Sequence, residues 1–284
     1  MNSKIDLHMH SGISDGTDTA PELLEKIQNL GITTFAVTDH DAIDSALQMV
    51  RIVPAGIRFI RGVELSCKTE IAKCHILGYN YDAARPGFLI LLEEANALRK
   101  NKLHTRLRYL EREFGFVFSS QDIAGLEAMR SAGKPHLEQL VRKQLKPALP
   151  GEEPVNIYET YFKHLPSARI DAIRAVKTVK AAGGIAVWAH PLGGTGEKRL
   201  SEEQFRAQLE LLCNAGIDAL ECYYSEYTKE EIEELCRVAG ERGLKISGGS
   251  DYHGTRKPHL HLGMLNKENR IIAKEKLTVL ELLR

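Results

Sequence analysis

The sequence predicts an α/β fold, a closed parallel barrel interrupted by a helical insertion. Three observations predict it. Short β-like runs alternate with helical patterns toward both ends of the chain. Nearly every such run ends in a His, Asp or Glu, as expected where barrel strands finish and functional loops begin. From about Pro86 to His164 no β-rich run occurs, and apolar residues recur at helical spacing instead. An open doubly wound sheet is the alternative.

The elements follow in order. Lys4 to His8 reads as a first strand. Thr19-Ala20-Pro21-Glu22 is a capping box, opening a helix that runs to Leu30 and stops at Gly31. Thr33 to Thr38 is a second strand, followed by a helix over Asp44 to Arg51. Arg58 to Leu65 and Cys74 to Tyr79 are the third and fourth strands. Phe88, Leu91, Leu92, Ala95, Leu98, Leu103, Leu107 and Leu110 then mark one long helix, and Pro135 to Lys146 a shorter one. The βα rhythm resumes with a helix over Asp171 to Ala182 and a strand over Ile185 to Ala189. A second capping box, Ser201 to Gln204, opens a helix that ends before Gly216. Asp218 to Tyr223 is a strand, a helix runs from Thr228 to Gly243, and Leu244 to Ser247 is the last strand. Leu277, Val279, Leu280 and Leu283 could cap the barrel as a helix.

Composition narrows the function. Hydrophobic residues make up 43% and charged residues 27% of 284, as in an ordinary globular protein. Lys plus Arg (38) equals Asp plus Glu (38). No overall basic field exists, so no stable complex with long nucleic acid is expected, although a local basic patch stays open. No apolar run nears the ~18 residues of a membrane span, and the N-terminus lacks an apolar signal segment. The five cysteines show no CxxC spacing. That argues against a disulfide framework or thiolate zinc knuckle and fits a cytoplasmic protein.

The strand ends carry the chemistry. The first supplies His8 and His10, with Asp15 in the loop behind it. The second supplies Asp39 and His40, the third Glu64, the fourth His75. His190 follows the IAVWA strand, and Asp251 and His253 follow the last. Residues two apart on a strand share a face, so His8 and His10 can hold one ion. Taken singly, a buried His is more often a hydrogen-bonded core residue, and Asp15 or Asp41 could be helix caps. Asp39 apart, nine such residues on one face would be costly to bury unpaired. Metal ions explain them, and imidazole with carboxylate suits zinc, manganese or iron.

HMH, SDG, TDH, GVE, H-ILGY, AHP and GSDYH, in that order, resemble the PHP family of metallophosphoesterases. The resemblance covers residues 1–84 and about 165–255. It implies a distorted (β/α)7 barrel holding three divalent metal ions, of manganese, iron or zinc. By motif, one ion falls to His8, His10, Glu64 and Asp251, and a second to Glu64, His75 and His190, with Glu64 bridging. Asp15, His40 and His253 would hold the third. The barrel domain is expected over 1–84 and 165–284, with 85–164 as a helical, substrate-reading insertion. That insertion is similar to the stand-alone branch acting on nucleotides or short RNA.

The expected reaction is hydrolysis of a phosphate ester by metal-activated hydroxide. The substrate is a small phosphorylated molecule, a nucleotide 3′,5′-bisphosphate or the 5′ end of short RNA. No serine or cysteine nucleophile is needed for this reaction, and no Walker-type loop is present. Asp39 is expected to orient a ligand or a water, or else to cap a helix. His136 is the candidate catalytic and substrate-contacting histidine of the insertion. Lys134 stands where similar nucleotide phosphatases commonly carry Arg; the same pair could be an ordinary helix start. Tyr223, Tyr224 and Ser225 are expected to face the pocket, to stack on a base or line the rim. Arg256 and Lys257 could attract phosphate. His104 and His164 read as surface residues, His259 and His261 as loop. Other readings are a different phosphomonoesterase such as histidinol phosphatase, an amidohydrolase, and a non-catalytic PHP module.

Overall fold

A computed structural model describes residues 4–147, 153–195 and 197–283. Its frame is one sheet of β1 (Lys4–Asp6), β2 (Ile32–Val37), β3 (Arg58–Lys68), β4 (Lys73–Tyr79), β5 (Ile170–Asp171), β6 (Ile185–Ala189), β7 (Ala219–Tyr224) and β8 (Lys245–Gly249). The order is β1-β2-β3-β4-β6-β7-β8, with β5 paired to β3. Beyond the named ends of β1 and β8 the two chains bond again. Leu7 N donates to Gly248 O, Asp251 N to His8 O and His10 N to Tyr252 O. The sheet is thereby nearly closed into a barrel.

The barrel is not all parallel. β4 runs antiparallel to both β3 and β6. The reason is local: only residues 69–72 separate β3 from β4, and Thr69 N bonds Ala72 O across that turn. A parallel return needs a crossover of roughly a dozen residues or more. The expectation of a wholly parallel barrel is corrected here.

The helices are α1 (Ala20–Asn29), α2 (Asp44–Ile52), α3 (Pro86–Phe114), α4 (Ser120–Ala128), α5 (Lys134–Arg142), α6 (Ala172–Ala181), α7 (Glu202–Ala215) and α8 (Lys229–Glu241). Thr19 and Ser201 form the capping boxes read in the sequence, and Thr228 and Ser119 form two more. The C-terminal leucines cover the barrel's end as read. They do so from 3₁₀ turns over Lys274–Lys276 and Thr278–Glu281, not from an α-helix.

Helix α3 joins two apolar clusters. Its Phe88, Leu91, Leu92 and Ala95 belong to the barrel core with Leu77, Val179 and Trp188. Its Leu103, Leu107 and Leu110 belong to a second cluster with Phe116, Leu137, Val141 and Phe162. Arg99, Lys102 and Arg106 fall three and four apart on this helix and share a face. All three are buried. That face is the seam between insertion and barrel. Among the described residues no helix is long and apolar enough to cross a membrane.

Candidate active site

The strand ends meet at the barrel mouth. Glu64, on β3, lies at the centre. Its Oε1 is 3.1 Å from His75 Nδ1 and 3.1 Å from His190 Nε2. Its Oε2 is 3.2 Å from His10 Nε2, 2.8 Å from His40 Nδ1 and 3.5 Å from His8 Nε2. Asp251 Oδ1 faces His10 Nε2 at 3.1 Å and His8 Nε2 at 3.5 Å. Asp15 approaches His253 Nε2 at 3.4 Å and His40 Nε2 at 3.8 Å. All nine residues singled out as ligands therefore converge.

The backbone is bent to bring them there. His190 and Asp251, just past β6 and β8, have φ of 28° and 54°. Side-chain-bearing residues adopt this left-handed region at a cost, and such outliers gather at functional sites. At Gly249 a Cβ would fall 2.1 Å from the His8 Cβ, so only glycine lets β8 pass the first ligand.

Hydrogen bonds fix which nitrogen each imidazole turns inward. His8 Nδ1 lies 3.0 Å from Glu221 Oε1. A carboxylate only accepts, so Nδ1 carries the proton and Nε2 presents its lone pair to the cluster. Glu221 also accepts from His190 N at 2.8 Å. His190 Nδ1 faces Glu197 Oε2 at 3.4 Å, leaving Nε2 for Glu64. Asp39 accepts from Ser11 N, Ser11 Oγ, Ser14 Oγ and Ser45 Oγ. Ser14 Oγ in turn lies 3.4 Å from His10 Nδ1. Asp39 thus pins the loop behind β1 and reaches a ligand imidazole only through Ser14.

The electrostatics match. Burial alone would raise the Glu64 carboxyl pKa, but the surrounding imidazoles, His40 and His75 foremost, hold it well below the usual carboxylate range. Asp251 is likewise held low against burial, by Lys257, His253, His10 and His8. Burial and nearby cations push His253 down to about 4.

Donor chemistry tests whether metals fit. Asp15 Oδ1, His40 Nδ1 and Glu64 Oε2 are buried with no hydrogen-bond partner. Imidazole and carboxylate atoms gather within 4.8 Å in several sets: His8, His10 and Asp251; His8, Glu64 and His190; His40, Glu64 and His75; His10, Asp15, His40 and His253. Inward lone pairs and unpartnered carboxylate oxygens call for cations. The residues fit divalent metals.

A profile of the PHP domain matches residues 6–173. The chain belongs to the PHP domain family. It is 30% identical over 259 residues to a 5′-3′ exoribonuclease of Haemophilus influenzae, covering 89% of this chain and 91% of that protein. It is 28% identical to a 3′,5′-nucleoside bisphosphate phosphatase of Chromobacterium violaceum, over 88% and 87% of the two chains. A phosphoribosyl 1,2-cyclic phosphate 1,2-diphosphodiesterase of Eggerthella lenta is 27% identical over 90% and 97%. In fold, the chain superposes on a metal-dependent phosphoesterase structure from Bifidobacterium adolescentis with a TM-score of 0.74, 24% identity and 94% coverage of both. This PHP chain is a metal-dependent hydrolase of phosphate esters.

The rim residues are distributed less simply. Tyr223 faces away from the cluster, toward Gly248, Leu277, Cys222 and Cys236. A register shift between Glu221 and Tyr223 breaks the alternation of β7. Glu221 and Tyr224 point inward, and Tyr224 OH donates to Asp251 Oδ2 at 3.0 Å. Ser225 Oγ lies 2.6 Å from the Met264 carbonyl and 2.9 Å from that of Ser250, sharing its one proton between them and tying loops together. Lys257 Nζ donates to Asp251 Oδ2 at 2.8 Å.

Lys134 and His136 open α5. Two residues apart on a helix, they point to different sides. His136 Nδ1 accepts from Gly133 N at 3.0 Å and is influenced by Arg256, Asp15 and Arg99. Lys134 lies over the Tyr158 ring, among Arg106, Lys73 and Arg169. A Cβ on Gly133 would stand 4.0 Å from Asp15 Oδ2, so the start of α5 lies close to the ligand cluster.

Sequence reasoning missed Glu221, Glu197, Arg169 and the Arg99–Asp41 ion pair. Glu221 carried a signal: a lone carboxylate inside the apolar DALECY run. Glu197 and Arg169 carried none.

Proposed function

We propose that the protein removes phosphate from a nucleotide 3′,5′-bisphosphate or from the 5′ end of short RNA, using three divalent ions of manganese, iron or zinc. The observation that carries this reading is the start of α5, close to Asp15, with a lysine on one side and a histidine on the other. A phosphomonoester alone needs no such second set of contacts. The names of the Haemophilus and Chromobacterium relatives support the same substrate class.

His8, His10, Glu64 and Asp251 would hold one ion, Glu64, His75 and His190 a second, and Asp15, His40 and His253 a third. Ions held there supply an activated water nucleophile and offset charge growing on the phosphate oxygens. The protein's own groups do the rest. Glu221 and Glu197 keep His8 and His190 in the binding tautomer. Burial and the neighbouring Arg256 push His136 down to about 4. It is then neutral at pH 7, with its proton on Nε2, and donates a hydrogen bond to substrate. Lys134 contributes charge. The free cysteines support a reducing compartment, the cytoplasm.

The test is phosphate release by manganese-loaded protein from nucleoside 3′,5′-bisphosphates, mononucleotides, 5′-phosphorylated short RNA and histidinol phosphate. Preference for the bisphosphate or the RNA end is expected. Preference for histidinol phosphate would replace this reading with the alternative one.

A further inference from the structure

Glu64 and Asp251 both face His8 and His10, but their oxygens are used differently. Glu64 turns both oxygens to the cluster. Oε1 faces the rings of His75 and His190, and Oε2 those of His8, His10 and His40. Asp251 turns only Oδ1 to the cluster, 3.1 Å from His10 Nε2 and 3.5 Å from His8 Nε2. Its Oδ2 accepts from Lys257 Nζ at 2.8 Å and from Tyr224 OH at 3.0 Å.

Both donors are held in place. A phenol has one proton, and Tyr224 OH already accepts from Thr195 N at 3.0 Å, so that proton goes to Asp251. The 3₁₀ turn Gly254–Arg256 doubles the chain back and returns Lys257 to Asp251, with Gly254 in the left-handed region at φ 66°. An ammonium only donates. Each carboxylate oxygen offers about two lone pairs, and Lys257 and Tyr224 fill both on Oδ2. Lys257, which the sequence offered as an attractor of phosphate, is thereby drawn to a ligand carboxylate instead.

We propose that Lys257 and Tyr224 are positioning residues that cap Asp251 Oδ2, so that Asp251 gives the first metal ion one oxygen, Oδ1, and cannot chelate it. The proposal rests on the assignment of that ion to His8, His10, Glu64 and Asp251, and adds how one of these ligands is presented. Two carboxylates at one mouth thus take different roles. Glu64 spreads its oxygens across the cluster. Asp251 binds at one point, which leaves room at the ion for an outside ligand.

The test is infrared difference spectroscopy, zinc-loaded minus metal-free, on protein labelled with carbon-13 at the aspartate side-chain carboxyls. The gap between the two carboxylate stretches is wide for one-oxygen binding and narrow for chelation. In Lys257→Met one wide aspartate pair is expected to become narrow, because a lone pair of Oδ2 is freed. Lys257→Arg should keep the wild-type spectrum, because a cationic donor remains. A Lys257→Met spectrum like wild type overturns the proposal. So does a Lys257→Arg spectrum narrowed as in Lys257→Met, since packing rather than a charged donor would then be what matters. If Lys257→Met takes up no zinc, Tyr224→Phe decides, with its buried ring retained. A narrowed pair there sustains the cap, and an unchanged one removes it. If wild-type protein shows no zinc-dependent aspartate bands, the assignment of the ion to these ligands fails, and the proposal with it.

Discussion

The barrel mouth and the insertion seam both bury charge, but they treat it oppositely. At the mouth, carboxylates and imidazoles are set at strand ends, some oriented by a neighbouring buried group, as His8 is by Glu221 and His10 by Ser14, and their spare atoms converge. At the seam, cations arrive on helices and a loop. Arg99 has an ion-pair partner: its Nε donates to Asp41 Oδ2 at 3.0 Å, and its NH2 donates to Ser66 Oγ at 2.8 Å. The contrast separates two tasks. Metal chemistry needs fixed geometry, which rigid strands supply. The proposed contacts to substrate need charge at the right place, which helices and loops can supply.

The largest expected effect breaks the mouth at its centre. Glu64→Ala removes the oxygens that face both halves of the cluster. Turnover should vanish and metal content fall, with the circular dichroism spectrum retained. Full activity in that variant would remove Glu64 from the proposed ligand set.

Next comes the link between the regions. Arg99→Ala leaves the buried Asp41 carboxylate without its cation, a loss of about 3–5 kcal/mol, read in urea unfolding. The pH dependence sharpens this. Burial would raise the Asp41 pKa, but Arg99, the Ser66 backbone and His40 lower it to about 2, against an ordinary 3.8. A depressed folded pKa contributes stability above the unfolded value and loses it as pH falls through the folded one. The Asp41 contribution to wild-type stability should therefore be full above about pH 4 and be lost toward pH 2, so the gap to Arg99→Ala should narrow over that range. A gap constant across that range would separate the pair from acid stability.

Glu221→Gln should act less severely. One of two acceptor oxygens becomes an NH2 group facing either His8 Nδ1 or His190 N. Metal affinity should fall roughly 10- to 100-fold, measured by competition with a chelator. The smallest effect is Tyr223→Phe. The ring lies on the outer side of β7, so kcat/KM on any phosphate ester should stay at the wild-type value. A marked loss would mean that this face of β7 meets substrate.

Much of this protein was legible along the chain. His8 and His10, Asp251 and His253 declared themselves because strands alternate faces and ligands recur at spacing two. The capping boxes at Thr19 and Ser201 are contained within four residues and needed no tertiary context. Helix α3 was visible as one apolar stripe. Tyr223 shows where local pattern stops: a register shift at one residue turned it outward and turned Tyr224 in.

The sequence by itself determined most of the order of strands and helices, the long strand-free stretch that follows β4 and the nine converging ligand candidates, because periodicity and residue chemistry are local properties. Only the tertiary structure decided that Glu221 orients His8 from 213 positions away, that Asp41 pairs with Arg99 and that Arg169 stands beside His75. Those contacts join distant segments, and no spacing along the chain encodes them. They depend on how β4 reverses, how β7 shifts register and where α3 crosses from one core to the other.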